Sequence, residues 1–205
     1  MNRHLCGRKE NNMEARTFLE ILGVAAGLKT TMRHCFTAED RQESVAEHSW
    51  RIALMAMLLS GEEEFRTLDM DKVIRMCLIH DLGEAFTGDI PAFMKDGADE
   101  ETEGDLFGAW VRRFPEPQRA EWTALLAEMD ALQTPEAKTY KALDKMEALI
   151  SHNESDIRTW LPLEYDLQLT YGQENMRFSP ELTAIRAEVD RWTKEKIDAE
   201  KSGLS

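Results

Sequence analysis

Asp69-Met70-Asp71-Lys72-Val73-Ile74-Arg75-Met76-Cys77-Leu78-Ile79-His80-Asp81 carries the pattern on which the fold reading turns. Val73, Ile74, Cys77 and Leu78 recur at helical spacing, and Asp69 or Asp71 can cap the first turn. The segment therefore reads as an amphipathic helix through about His80. Its end is unusual, because an adjacent His and Asp follow the apolar face directly. A buried carboxylate without a partner is costly to desolvate, so Asp81 calls for a cation or for donors.

Working outward, the rest of the chain has the same helical character. Val and Ile together number 14, against 22 Leu and 11 Met among 205 residues. Straight-chain residues lose little rotamer freedom in a helix, whereas β-branched residues suit strands. The expectation is an all-α fold in one domain, a helical bundle. Helices are expected over residues 13–28, from Ser44 to about 60, over 98–113, from Pro117 to about 133, from Pro135 to about 153, over 157–175 and over 180–200. Ser44 and Glu47 form a capping box, and Pro135 sits at a first turn. Residues 30–42 read as polar and irregular, and 82–97 as a loop with a short helical turn. The division expected is a tail over 1–12, a helical core over 13–178, and a C-terminal helix over 179–205 packed on that core.

Composition narrows the function. Lys and Arg total 25 and Asp and Glu 39, a formal charge of 25 − 39 = −14. Such a balance disfavours a groove that tracks the phosphates of a long nucleic acid. It leaves room for a small phosphorylated ligand, since one metal ion can reverse a local field. No apolar run is long enough for a transmembrane helix, and the N-terminus lacks the apolar core of a secretory signal. The three cysteines, Cys6, Cys35 and Cys77, form no CxxC pair, which favours a reducing cytoplasm over a disulfide framework.

Three further positions complete the pattern. His48 shares an apolar stripe with Val45, Ile52 and Met55. Alone it reads as a buried, hydrogen-bonded histidine. Asp144 lies between Lys141 and Lys145 and alone reads as one half of a surface ion pair. Taken together, His48, His80, Asp81 and Asp144 supply two imidazoles and two carboxylates from three helices. That is a ligand set for a divalent metal such as zinc, manganese, iron, cobalt or nickel, of the kind helical bundles build from inward-facing side chains. Glu84, four residues past His80, can serve as a general base for water. Thr87-Gly88-Asp89 reads as a turn that leaves Asp89 available to a ligand.

The stretches Ser44-Val45-Ala46-Glu47-His48-Ser49, His80 to Pro91, and Lys141-Ala142-Leu143-Asp144-Lys145 resemble the HD-domain metal-dependent phosphohydrolases, with the nearest likeness to their 5′-deoxynucleotidase group. The resemblance implies that His48, His80, Asp81 and Asp144 hold a divalent ion (manganese, cobalt, zinc, iron, nickel or magnesium). It implies that Glu84 is the general acid/base, that Asp89 lies at the sugar side or holds a second ion with Glu84, and that Arg33 orients the phosphate. His34, Asp81, Asp89, Ile90, Pro91 and Asp144 join Arg33 in contacting substrate, a small phosphorylated molecule of nucleoside 5′-monophosphate type. A homodimer is implied as well. The chain departs from the pattern at His34, where the family carries Trp, and at Ala92-Phe93 after Pro91, which bears on sugar and base recognition and leaves the metal set intact. Phosphodiester or triphosphate hydrolysis on the same scaffold, and a non-catalytic interaction module, are the alternatives.

Overall fold

A computed structural model describes residues 13–37 and 41–203. The expected tail over 1–12 lies outside the described residues. Ten α-helices lie along the described chain: α1 (Ala15–Ala25), α2 (Val45–Leu59), α3 (Met70–Ile79), α4 (Glu84–Thr87), α5 (Gly97–Val111), α6 (Gln118–Ala131), α7 (Pro135–Glu154), α8 (Glu164–Thr170), α9 (Gln173–Met176) and α10 (Pro180–Lys201). The all-α, single-domain expectation holds.

The centre is a packed trio. α2 lies along α3, and both pack on α7. Their facing stripes bury Val45, Ile52, Val73, Met76, Leu143 and Met146 almost completely. Each of these helices begins at a side-chain cap that the sequence announces. Ser44 accepts from the Glu47 N–H while Glu47 accepts from the Ser44 N–H, Asp69 accepts from the Lys72 N–H, and Thr134 accepts from the Ala137 N–H ahead of Pro135. α5 and α6 are pinned by Trp110, Phe114 and Trp122, whose rings meet edge-on with Trp110–Phe114 centroids 4.8 Å apart, and by Phe107, tilted against Trp110. α10 packs over α7, α8 and α9, and its buried Arg186 donates to the Gln168 carbonyl at 3.2 Å and to Asp190 Oδ1 at 2.6 Å.

Two expectations are corrected. Residues 30–42 are not wholly irregular: β1 (Met32–Phe36) pairs antiparallel with β2 (Gln42–Ser44), with Met32 opposite Ser44 and Phe36 opposite Gln42. The ribbon is too short to show alternation in sequence, and its stability comes from α7 packing against β1. The expected helix over 157–175 is broken into a 3₁₀ turn at Ile157–Thr159 followed by α8 and α9. Pro162 and the positive φ of Gly172 interrupt the helical run there.

Candidate metal centre and substrate cleft

The end of α3 fixes the first ligand. His80 is its C-cap, and its Nδ1–H donates to the Cys77 carbonyl at 2.9 Å. That bond satisfies one of the carbonyls a helix leaves unpaired at its end and fixes the tautomer with a lone pair on Nε2. His80 Nε2 stands 2.9 Å from Asp81 Oδ2 but out of hydrogen-bond alignment, and it is buried without a partner.

His48 enters from α2 and is 1% exposed. Its Nδ1 meets Glu147 Oε2 in a short hydrogen bond, so Nε2 is the free face of the ring. His48 Nε2 lies 3.7 Å from Asp81 Oδ2 and 3.4 Å from Asp144 Oδ1, and His80 Nε2 lies 3.8 Å from the same Asp144 oxygen. Asp144 divides its oxygens. Oδ1 faces the two imidazoles, while Oδ2 takes Lys141 Nζ at 2.9 Å and Lys145 Nζ at 3.5 Å. The lysine ion pair and the ligand role therefore coexist on one carboxylate.

Four side chains from α2, the end of α3 and α7 thus turn two imidazole lone pairs and two carboxylate oxygens on one point. Burial works against charge at Asp81, yet His80 and His48 hold its carboxyl well below the usual range; burial works against Asp144 also, and Lys141 and Lys145 keep it ionised. The unpaired His80 Nε2 beside ionised carboxylates fits a divalent cation in donor type. Burial works against charge at His48, yet Glu147 and Asp144 raise it to about 9, so a cation binding there displaces a proton. His48, His80 and Asp81 come close enough together to share one ion.

After His80 the helix bends through residues 81–83 and resumes as α4, which brings Glu84 back over the same site. Gly83 permits this approach, since a Cβ there would come within 2.6 Å of Glu103 Cγ on α5. Glu84 is 4% exposed, and its Oε2 is buried and unpaired. Burial, together with the like charges of Asp81, Asp89 and Glu103, pushes Glu84 up to about 10. The carboxylic acid is thereby favoured, and positive charge arriving nearby pulls the group back toward its base form. Asp89 is felt by Glu84, but the close carboxylate cluster is Asp81, Glu84 and Glu103, so Glu103 enters where Asp89 alone was expected.

A cleft of about 400 Å³ opens beside this cluster. Arg33, His34, Asp81, Glu84, Asp89, Ile90, Pro91 and Asp144 all line it, while His48 and His80 stand behind. Every residue expected to contact substrate is therefore present in the cleft. Arg33 is more constrained than a free phosphate clamp. Its Nη1 donates to Glu43 Oε2 at 2.7 Å and to Glu147 Oε2 at 3.1 Å, and lies 2.6 Å from His48 Nδ1.

Glu43 and Glu147 were not singled out in the sequence. Glu147 is fully buried and also accepts from Ser151 Oγ at 2.7 Å, while Glu43 accepts from the same hydroxyl at 2.9 Å. Despite burial, His48 and Arg33 hold Glu147 down at about 2, so it stays a carboxylate. The signal for Glu147 was present: it lies three residues past Asp144 on an otherwise apolar face of α7.

The family model for the HD domain matches residues 25–186. The chain belongs to the HD domain family. The HD chain is 29% identical over 185 residues to the 5′-deoxynucleotidase HDDC2 of Homo sapiens, covering 86% of each sequence. It is 30% identical over 158 residues to the enzyme of that name from Mus musculus, covering 74% of each. In structure it is similar to a predicted metal-dependent phosphohydrolase from Magnetospirillum magnetotacticum, at 26% identity and a TM-score of 0.70 over 91% of this chain and 97% of that one. It shares its fold with the cyanophage S-2L HD phosphohydrolase DatZ bound to dA and one catalytic Zn²⁺ ion, at 20% identity and a TM-score of 0.59, covering 84% and 96%.

Proposed function

We propose that this HD-domain protein is a metal-dependent phosphomonoesterase that releases phosphate from nucleoside 5′-monophosphates, deoxynucleotides included. The observation that carries the reading is the convergence of His48 Nε2, His80 Nε2, Asp81 and Asp144 at a cleft that also holds Glu84 and Arg33. The relatives named 5′-deoxynucleotidase support the substrate class. Those four residues hold a divalent cation, which supplies Lewis acidity to a phosphoryl oxygen and to water when bound. Glu84, buried over the same point, takes a proton from the attacking water or returns one to the leaving oxygen. Arg33, braced by Glu43 and Glu147, stabilises charge on the phosphoryl oxygens from a fixed position. Asp89, Ile90, Pro91 and His34 shape the part of the cleft that receives the rest of the substrate, and Glu84 with Asp81 and Glu103 is the place for a second ion.

The core is residues 13–178, and α10 (Pro180–Lys201) is folded onto it. The chain works as a homodimer, a reading supported by the exposed stripe Trp50, Leu54, Met57 and Leu58 on α2, whose +4, +7 and +8 spacing makes one apolar face. Its place is the cytoplasm, in keeping with Cys35 and Cys77 as buried free thiols. No described helix is long and apolar enough to cross a membrane.

The test is phosphate release from a panel of nucleoside monophosphates by protein loaded with manganese or cobalt. Glu84→Gln should keep the metal by direct metal analysis and lose turnover by about 10² or more. Metal-loaded protein that releases no phosphate from any monophosphate refutes the reading.

A further inference from the structure

Among the described residues two histidines remain outside the metal chemistry, His34 on β1 and His152 on α7, and both line the cleft. Glu164 of α8 stands between them. His34 Nε2 lies 3.0 Å from Glu164 Oε1, and His152 Nε2 lies 3.4 Å from Oε2. Neither contact has hydrogen-bond alignment, and both Nε2 atoms are buried. Glu164 is itself 4% exposed and is fixed by the Leu161 N–H, which donates to Oε2 at 2.5 Å. The rings are held from outside as well: His152 stacks on Trp160 with centroids 4.5 Å apart, and Phe93 meets His34 edge-on at 5.5 Å. Among the described residues, the clusters tight enough to grip an ion all exclude these three. The arrangement is a rigid polar wall rather than a metal cage.

Its position follows from α7. Asp144, Ala148 and His152 line the cleft at successive i+4 steps, so they share one face of the helix. At 1.5 Å per residue, His152 sits about 12 Å along the axis from Asp144. If phosphate lies at Asp144, the wall meets the far end of a nucleotide, where the base is. The Glu164 carboxylate takes the Nε2 side of each ring, and Nδ1, which meets no partner among the described residues, is the nitrogen left to accept.

We infer that His34 and His152, set by Glu164, form a base-recognition subsite that accepts hydrogen bonds from the exocyclic amino group of adenine or cytosine, an inference that rests on the nucleotidase reading above. Bases that carry a carbonyl in place of that amino group present acceptor to acceptor and are disfavoured. The experiment compares kcat/KM for deoxyadenosine monophosphate with its hypoxanthine counterpart, and for deoxycytidine monophosphate with deoxyuridine monophosphate. About tenfold preference for each amino-bearing member is expected in the wild type. That ratio should fall toward one in His34→Ala and in His152→Ala. A ratio does not depend on the folded fraction, so a partly unstable variant still reports, and His152→Asn offers a second, milder change. Wild-type ratios near one, or ratios unmoved in both variants, overturn the inference. The same preference is read without turnover, as dissociation constants of adenine and hypoxanthine nucleosides. A loss of all phosphate release with that binding preference intact counts against the phosphomonoesterase reading alone.

Discussion

Glu147→Gln isolates the residue that joins the metal ligand His48 to the phosphate-side Arg33. The substitution keeps shape and one acceptor oxygen but removes the charge. In the native arrangement Glu147 accepts from His48 Nδ1, from Arg33 Nη1 at 3.1 Å and from Ser151 Oγ at 2.7 Å, all out of contact with water. A hydrogen bond to a charged acceptor contributes about 1.5–3 kcal/mol and a neutral one about 1. Arg33 retains Glu43 at 2.7 Å, so its charge is not stranded. The expected loss is therefore about 2 kcal/mol, well short of the 3–5 kcal/mol that follows when a buried charge loses its only partner. For a domain of this size that lowers Tm by about 4–8 °C.

Metal affinity should fall independently of that loss. A weaker acceptor at Nδ1 leaves His48 less firmly oriented and its Nε2 less basic, and such changes cost about 10–100-fold in metal binding. The assay pairs thermal unfolding in chelator with calorimetric titration of manganese or zinc into the folded protein. A variant that is destabilised yet binds metal with native affinity would mean that Glu147 is scaffold only. Unchanged stability and unchanged affinity together would refute the buried network.

The α2 cap makes a pH prediction. Arg41 and the Ser44 N–H hold Glu47 down at about 2, against an ordinary 4.5. A depressed carboxyl contributes stability above about pH 4.5 and loses it as pH falls toward 2. Glu47→Gln should cost no more than about 1 kcal/mol at pH 7, since the group is largely exposed, and the difference from wild type should vanish by pH 2 in urea titrations. In the core, Leu143 is 1% exposed beside Asp144, so Leu143→Ala should cost about 2–5 kcal/mol by denaturant unfolding, the sum of lost apolar burial and the cavity it leaves.

How far the site could be read from sequence depended on whether its signal was local. His48 and His80 stand on helices whose periodicity is plain, so each could be placed on an inward face from its own neighbours, whereas Asp144 by itself read as a surface ion pair with its flanking lysines and joined the set only in the company of the other three. Glu84 followed from its spacing to His80 once a bend was allowed. Glu147 was equally local: it stands among Leu143, Met146 and Leu149, an apolar setting that does not tolerate an unpaired carboxylate. Glu43 and Glu164 were beyond local reasoning. Glu43 reaches Arg33 across a ribbon with only three residues in its second strand, and Glu164 meets His34 from 130 positions away. Such contacts depend on tertiary packing, which no short window records.

The net charge of −14 bears on how an anion is admitted at all. The cleft lining holds four cations, Arg33, Lys95, Lys141 and Lys145, against six carboxylates, a formal −2. The close ion pairs absorb these cations locally. Arg33 is taken by Glu43 and Glu147, Lys141 and Lys145 by Asp144, and Lys95 by Glu103 at 2.6 Å. A phosphate dianion approaching these residues alone meets no net attraction, and a divalent ion brings the lining to formal neutrality while offering open coordination. Metal should therefore be required for nucleotide binding itself and not only for turnover. Glu84→Gln, which stops hydrolysis, allows the test at equilibrium: a nucleoside monophosphate titrated into metal-loaded protein should bind at least about 100-fold more tightly than into chelator-treated protein. Equal dissociation constants in the two titrations would show that Arg33 and the lysines suffice, and that their ion pairs open at little cost when phosphate arrives.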